Sequence, residues 1–532
     1  MITESMTTPI AEVDVLIIGM GPVGKMAALL LARAGHSVLI SERKTQNYAL
    51  PRAVAHDAEI ARILQSVGLA PDSIPDAVEA YDDLYVWVNG ADEVLLEVDW
   101  RGLDPSGWNN TYFYNQPALE EHLDRAVSEH HDLVKVRRGT QARVSSQDES
   151  IVQVLLNDIE TGAEERVNAR YVLGADGANS ETRNELGIPW NDLGYFYDWL
   201  VIDVLPKPGL NISRLAKQVC NPARPTTVVP AGPGRRRWEF MRLDGETNEE
   251  LTSPDRIWEL LAPYGVTPET ASVERGVVYT FNSGWAEQWG KGRVFLLGDA
   301  AHQMPPFAGQ GLAAGFRDCL NLLWKLDLVL REVSPDTILD SYSSERETHV
   351  ADFIAFSMSL GQVICITDPQ AAATRDRNMI AARASRQAPE PPPAPRLGAG
   401  LHLGVAGGYL SLQGQVATAS AERVRFDDVF GPGSLILRDA SLLDGCDTSQ
   451  LAALGISLTT FGESSGTVQA FRDIDGTYSG WFAEMGADAI LVRPDFYVFG
   501  IASGGAEIRD LVARFVSQLR TQDDAERELT AS

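Results

Sequence analysis

Apolar positions in the first third of the chain switch between two periods. Residues 13–18 (Val-Asp-Val-Leu-Ile-Ile) form a short β-branched run, and a glycine-rich turn follows. Residues 23–34 then recur at helical spacing, and residues 36–41 read as a second strand, giving a βαβ opening. Further on, residues 117–129 have helical spacing, and 151–156 with 166–173 read as a strand pair. Residues 186–278 hold several alternating runs, such as Trp238-Glu239-Phe240-Met241, which predicts a mostly antiparallel sheet inserted into the first unit. Residues 293–297 read as a buried strand, and 312–330 and 338–365 as long helices. The proline run 388–395 reads as a stiff linker. Beyond it, strands are predicted at 434–437, 468–471, 489–492 and 497–499, with a closing helix over 507–519. The pattern is α/β. It divides into a discontinuous first domain (1–185 and 290–385), an inserted β-rich domain (186–289), a linker (386–400) and a C-terminal module (401–532). No internal repeat is present.

Composition narrows the partners. At 532 residues the chain has room for about three domains. Its 45 Lys and Arg against 73 Asp and Glu give a formal charge of −28, which repels phosphate backbones and anionic lipid. Neither nucleic acid nor a membrane surface is expected, although a cleft can still hold an anionic small ligand. The four cysteines, Cys220, Cys319, Cys365 and Cys446, form no CxxC pair, so no metal site or redox dithiol is expected. Residues 1–12 lack a basic segment, and the apolar stretch 13–34 is broken by glycines, Pro22 and Lys25. The expectation is a cytoplasmic protein without a signal peptide or spanning helix.

Three motifs carry chemistry. Gly19-Met20-Gly21-Pro22-Val23-Gly24 is a GxGxxG between a strand and a helix, where glycines admit a pyrophosphate against the helix N-terminus. Glu42 ends the second strand about 20 residues on, where an acid accepts ribose hydroxyls. This predicts a Rossmann-type dinucleotide domain. The second motif is Gly174-Ala175-Asp176-Gly177 with Ser180 and Arg183. Asp176 either lies near a cofactor diphosphate or merely caps the following turn. The third is Gly298-Asp299-Ala300-Ala301-His302, then Pro305 and Gly309-Gln310-Gly311, again after a strand and opening a helix. Asp299 suits a ribityl hydroxyl, and a helix N-terminus at 309–311 suits negative charge on a reduced flavin. His302 reads as a packing residue under that loop.

Together these residues resemble the single-component FAD monooxygenases that hydroxylate aromatic rings. The resemblance spans the chain. It includes Glu42-Arg43, Pro51-Arg52-Ala53, Asn115-Gln116-Pro117, residues 174–183 and 298–311, Asp318, Asn321-Leu322, Trp324-Lys325-Leu326, Tyr342, Glu345 and Arg346. Asn221-Pro222-Ala223-Arg224-Pro225, Arg236-Arg237-Trp238-Glu239-Phe240 and Val492-Arg493-Pro494-Asp495 are most similar to segments of 3-(3-hydroxyphenyl)propionate hydroxylases. The resemblance implies that Gly19, Gly21, Pro22, Val23, Gly24, Glu42 and Arg43 hold the adenosine half of FAD. It implies that Arg52 and Gln116 touch the cofactor, and that Asp176 serves both FAD and nicotinamide. It also implies that Gly298 and Asp299 meet the diphosphate-ribityl region, and that Pro305, Gly309, Gly311 and Leu312 line the ring. Ala313 stands where many relatives have Asn. The last module is implied to be thioredoxin-like without the dithiol.

Hydroxylation through a flavin hydroperoxide needs a phenol that shares its proton. Asp57, His56 and Tyr279 are the candidates for that catalytic role, with a capping carboxylate, a packed histidine and a core tyrosine as the plain alternatives. Arg224, Arg235, Arg236, Arg237 and Arg242 could meet a substrate carboxylate, but the run of three reads first as a solvated strand edge or turn. Trp199, Trp238 and Trp285 read as core. No second GxGxxG is present, so no separate nicotinamide domain is expected, and the resemblance implies that NADH or NADPH meets a mobile flavin transiently. The expected reaction is O2-dependent hydroxylation of a small phenolic substrate, ortho to its hydroxyl, in aromatic catabolism. A homodimer is left open. So are a polycyclic polyketide substrate and, from a different class, a flavoprotein-fold binding module without turnover.

Overall fold

The computed structural model describes residues 11–47, 53–194, 197–387, 391–420 and 422–520. Arg52, and the start of the proline linker at 388–390, lie outside the described residues. The fold is mixed α/β. Five parallel strands run side by side in the order Val294–Leu296, Glu164–Gly174, Ala11–Ile18, Val38–Glu42 and Val134–Arg138. Val15, Leu16 and Ile17 are wholly buried at the centre, as strands covered on both faces require. The helices Pro22–Arg33 and Gly311–Leu330 lie together over this sheet. They approach closely because Val23 fits against Gly298 and Gly315, where a Cβ would come within 3.1 Å and 2.6 Å of its Cγ2.

A second sheet of seven strands runs Ala271–Phe281, Tyr197–Pro206, Arg236–Met241, Thr226–Pro230, Ala216–Cys220, Leu84–Asn89 and Val94–Asp99. Its outer face buries Leu200, Ile202, Trp238 and Phe240 against the helix Pro254–Leu261. The inner face carries Trp199, Asp203, Arg237, Glu239, Arg275 and Tyr279 in register on adjacent strands. The last two strands come from residues 84–99, outside the 186–289 span expected for the inserted domain. Leu84–Asn89 joins by a parallel pairing with Ala216–Cys220, a long-range contact that local patterning does not encode.

The C-terminal module has a five-stranded sheet ordered Gln469–Ala470, Ser457–Thr460, Ser434–Leu437, Ala489–Val492 and Val498–Ala502. The helices Thr477–Met485 and Gly504–Leu519 accompany it. It docks through buried charge. Arg493 reaches both oxygens of Glu345 at 2.7 Å, Lys325 Nζ lies 2.8 Å from Glu345 Oε2, and Asn321 Nδ2 donates to Asp495 Oδ2 at 3.1 Å.

Among the described residues no single helix is long and apolar enough to cross a membrane. The segments Asp336–Ile364 and Pro369–Ala384 meet that test only jointly across a 113° bend, and Val350, Phe353, Ile354 and Ile364 there are buried in the protein.

Burial alone would raise the Glu345 carboxyl, but Arg493 and Lys325 outweigh it and hold the group well below the ordinary carboxylate range. A carboxyl depressed in the fold stabilises the protein fully above its unfolded value of about 4.3, and that contribution fades as pH falls below it. Glu345→Gln leaves Arg493 and Lys325 short of a charge. It should cost about 3–5 kcal/mol in urea unfolding at pH 7 and flatten the loss of stability below pH ~4.5. A wild-type acid limb in the variant would exclude Glu345 as the docking charge.

Candidate active site

The first strand ends at Gly19, whose φ is +104° and whose N–H donates to Ser41 O at 2.8 Å. A Cβ there would lie 2.4 Å from Ala175 O, and one on Gly24 would lie 2.2 Å from Gly19 O. These two glycines are required by the protein's own packing. Gly21 differs, since a Cβ on it would meet nothing within 4 Å. It is the N-cap of Pro22–Arg33, supplies no side-chain cap, and lines a cleft of about 1000 Å³ that opens partly to solvent. First-turn N–H groups left uncapped suit an anion.

Glu42 sits on the cleft wall, accepting Met20 N–H and Lys44 N–H at 2.8 Å each, one per oxygen. Those bonds orient the carboxylate and leave half its lone pairs for hydroxyls. Arg43 lines the cleft with an exposed side chain. Gln116 accepts Ala53 N–H at 3.0 Å and donates to Glu120 at 2.9 Å, and Glu120 in turn pairs with the buried Lys25. Arg138 is a cleft residue that sequence reasoning missed. Its Nη2 donates to Asn47 at 2.9 Å, and its Nη1 is buried with no hydrogen-bond partner. The available signal was its place at the end of a strand paired with the Glu42 strand, just before Gly139. Asp176 also lines the cleft, but its oxygens accept Ser180 Oγ–H at 2.6 Å and the Thr182 N–H and Oγ1–H at 3.0 and 2.9 Å. It does the local capping work of the plainer alternative.

The second and third motifs meet through Arg183. Its Nη1 donates to Ala300 O at 2.9 Å, and its guanidinium stacks on Trp190 at 4.3 Å. Gly298 has φ +59°, and its N–H donates to Asp318 Oδ2 at 3.0 Å. Asp318 also takes His302 Nε2 at 2.6 Å and Arg346 Nε at 3.0 Å. Burial would raise its carboxyl, but His302 and Arg346 outweigh burial and keep it low. Asp299 is half-buried at the same turn. Pro305 O accepts Ser357 Oγ–H at 2.5 Å. Gly309, at φ +66°, ends the short helix Pro306–Ala308, and Gly311 opens Gly311–Leu330. A Cβ on Gly309 or Gly311 would meet nothing within 4 Å, and Leu312 beside them is half-buried. Ala313 is core, 1% exposed.

The catalytic candidates separate. Asp57 Oδ1 caps the helix Ala58–Ser66 by accepting Ile60 N–H at 3.1 Å. Its Oδ2 accepts from Arg317 Nη2 at 2.5 Å and Gln310 Nε2 at 3.0 Å. Burial would raise its carboxyl, but Arg317 and these hydrogen bonds hold it below the ordinary range. So engaged, Asp57 does capping and pairing work, and its lowered basicity weakens it as an acceptor of a phenol proton. His56 is buried and lies between Tyr112 and Tyr114, at ring distances of 5.1 and 5.5 Å. Its Nδ1 is 2.9 Å from Asp57 O, which can only accept, so Nδ1 carries the proton and Nε2 is the acceptor. That Nε2 is buried with no partner, as is Tyr114 Oη. Burial lowers the His56 value and keeps the ring neutral. Tyr279 is half-buried on the inner face of the seven-stranded sheet and accepts from Arg275 Nη1 at 3.1 Å.

The arginine run is not a solvated edge. Arg236 and Arg237 are buried, and Arg237 Nε pairs with Asp203 at 2.7 Å. Arg275 shares Asp203 at 3.0 Å, and Glu239 Oε1 stands 3.6 Å from Arg237 Nη1. Arg236 donates to the carbonyls of Arg214 and Leu215. Arg224 pairs with Glu246, Arg235 with Glu274, and Arg242 with Asp198. The inner face meets the glycine loop through Phe307, whose ring is 5.7 Å from Trp199 and 6.0 Å from Phe281.

A glycine turn between parallel strand and helix, a strand-end carboxylate and this cleft define a dinucleotide-binding α/β protein. The chain belongs to the FAD binding domain family, whose model matches residues 12–357, and residues 408–518 match the HcaD C-terminal domain. It is 40% identical over 511 residues, 95% of each chain, to a "Probable NADH-specific resorcinol 4-hydroxylase" of Rhodococcus jostii. It is 30% identical over 542 residues, 96% of this chain and 98% of the other, to a 3-(3-hydroxy-phenyl)propionate/3-hydroxycinnamic acid hydroxylase of Burkholderia cenocepacia. In fold it is similar to the flavin-dependent monooxygenase PieE in complex with FAD and substrate, with TM-score 0.80, 22% identity, and coverage of 96% of this chain and 100% of that one. Aklavinone-11 hydroxylase with FAD and aklavinone gives TM-score 0.75 at 24% identity, with the same coverage. The protein is a flavin-dependent monooxygenase that binds FAD, and the open space at Gly21 with the unpartnered Arg138 Nη1 suits an anionic dinucleotide.

The two kinds of glycine should separate in the flavin-free protein. Gly24→Ala forces Cβ onto a carbonyl and should lower the thermal midpoint, whereas Gly21→Ala should stay within about 0.5 kcal/mol of wild type. An equal loss in both would show that protein atoms also crowd Gly21.

Proposed function

We propose that this enzyme is an NADH-dependent hydroxylase of small, uncharged phenols of the resorcinol class, adding one oxygen ortho to a ring hydroxyl. The observation that carries the substrate class is the pairing of five middle-domain arginines with acids, while the buried Arg236 is held by the carbonyls of Arg214 and Leu215. Arg224, Arg235, Arg237, Arg242 and Arg275 each face an acid of the protein itself. A substrate carboxylate would have to break such a pair, and removing a partner from a buried pair costs about 3–5 kcal/mol. The relative named for resorcinol and NADH, at 40% identity, supports the same choice over the relative named for a phenylpropionate at 30%.

FAD, when bound and reduced by NADH, supplies oxygen activation. The reaction consumes one O2, one NADH and one proton, and returns the hydroxylated ring, water and NAD⁺. Residues 19–24 and Glu42, arranged as a Rossmann-type turn, take the diphosphate and ribose, with Arg138 and Gln116 beside them. Asp299 takes the ribityl side, and Pro305, Gly309, Gly311 and Leu312 face the ring. His56 Nε2 accepts a hydrogen bond from the substrate hydroxyl. That draws the phenol towards phenolate and enriches its ortho carbon, and the unpartnered Tyr114 Oη supports contact with a second hydroxyl. A buried acceptor without a partner costs about 1–3 kcal/mol, which a bound phenol relieves. The C-terminal module is thioredoxin-like in reading and carries no dithiol chemistry, because Cys446 is its only cysteine.

Purified protein should be yellow, oxidise NADH faster when resorcinol is added, and yield a benzenetriol by mass. A preference for 3-(3-hydroxyphenyl)propionate over resorcinol would overturn the substrate class. His56→Ala should lower kcat by about a hundredfold while FAD content stays at the wild-type level. Because burial lowers the His56 value, the ring protonates, and the rate falls, only below about pH 6.5, and this acid limb should vanish in the variant. An unchanged limb would return His56 to a packing role.

A further inference from the structure

The flavin-side turn has little of its own to hold it. Nothing among the described residues lies within 4 Å of a Cβ on Gly309 or Gly311, and Gln310, between them, is the N-cap of the long helix without capping it by its side chain. The Gln310 amide is instead held at both ends, with Oε1 accepting from Arg317 Nη1 at 2.7 Å and Nε2 donating to Asp57 Oδ2 at 3.0 Å. Arg317, 4% exposed, also donates from Nε to Glu59 Oε2 at 2.5 Å. The other oxygen of Glu59 accepts the hydroxyl of Tyr497 at 2.8 Å, and Tyr497 belongs to the C-terminal module. Tyr497, Glu59 and Arg317 are all buried.

We propose that Tyr497 is a positioning residue for the flavin, acting through Glu59 and Arg317 on the turn at 309–311, and that this is what the C-terminal module contributes to the reaction. The inference rests on the reading above that this turn faces the FAD ring. The chain of contacts is short and each link is directional. Tyr497 has one hydroxyl proton and gives it to Glu59. Glu59 then presents its second oxygen to Arg317, which fixes the fork that grips Gln310. Losing the Tyr497 hydroxyl leaves a buried carboxylate oxygen unsatisfied, and such a group reorients or finds a new partner. Either response moves Arg317, and with it Gln310. Ligand-orienting groups one shell out from a site act in the same way.

Tyr497→Phe tests this without cutting packing volume. Asp427→Asn is the control, because Asp427 docks the same module through Arg62, at 2.6 and 3.1 Å, without touching Arg317. Tyr497→Phe should speed amide exchange over residues 309–316 about tenfold, in the flavin-free and FAD-loaded protein alike. It should also shift the visible flavin spectrum and raise the peroxide formed per NADH in the presence of resorcinol. Asp427→Asn should lower the thermal midpoint yet leave exchange at 309–316, the spectrum and the peroxide yield at wild-type values. Unchanged exchange in Tyr497→Phe, or equal changes in both variants, would overturn the relay. A wild-type protein that holds no FAD would overturn the functional reading instead, and exchange in the flavin-free protein would still judge the relay.

Discussion

Charge cannot be buried alone, and the helix Gly311–Leu330 carries four polar residues into the interior: Arg317, Asp318, Asn321 and Lys325. The four are held by three sets of partners. Arg317 takes Glu59 and Asp57, Asp318 takes Gly298, His302 and Arg346, and Asn321 and Lys325 take Glu345 with Asp495. Taking Arg317, Asp318 or Lys325 out of water as an ion costs several kcal/mol, which only its partners offset. The helix therefore fixes, in one rigid element, the strand-end turn at 298, the glycine turn at its own N-terminus and the seat of the C-terminal module. A hydrophobic helix of the same shape would pack, but it would not specify which of its neighbours sits where.

The same constraint explains what could be read from the sequence and what could not. The βαβ opening, its glycines and Glu42 are local: strand, turn, helix and acid lie within 42 residues, and their spacing carries the chemistry. Gly19 and Gly24 are needed by the protein's own close approach, so the motif was legible for a reason partly separate from the ligand. The partners of Asp57 were not legible because Arg317 is 260 positions away, and no local pattern tells a capped, paired carboxylate from a free one. The arginine run failed for the same reason. Arg237 looks like surface by composition until Asp203 and Arg275 are seen beside it across two strands. The strands at 84–99 were hidden by a parallel pairing to a segment more than a hundred residues on.

Charge also reconciles an acidic chain with an anionic cofactor. The net charge of −28 is a property of the whole surface and acts over a Debye length of about 8 Å in physiological salt. Inside the cleft the field is set by nearer groups: an uncapped helix N-terminus, backbone N–H groups, Arg43, Lys44 and Arg138, set against Glu42, Glu120, Asp176 and Glu181. Glu42 has each oxygen already engaged by a backbone N–H, which spreads its charge and turns it towards hydroxyls. Repulsion by the surface and attraction in the cleft are thus compatible, and the first keeps phosphate polymers from competing for the second.

On the substrate side the balance is struck differently. The inner face of the seven-stranded sheet gathers Asp203 and Glu239 with Arg237 and Arg275, two charges of each sign. Such a wall offers polar contacts without a net field. A neutral phenol can lie against it at little electrostatic cost, and the phenolate character it gains must then come from a specific acceptor rather than from a general positive potential. In the proposed function His56 is that acceptor. Its tautomer is fixed by the carbonyl of Asp57, its ring is kept neutral by burial, and the one lone pair left on Nε2 has no other partner. Asp57 thus serves the site through its backbone oxygen and through Arg317, while its carboxylate, the group that sequence reasoning singled out, stays committed to holding the loop.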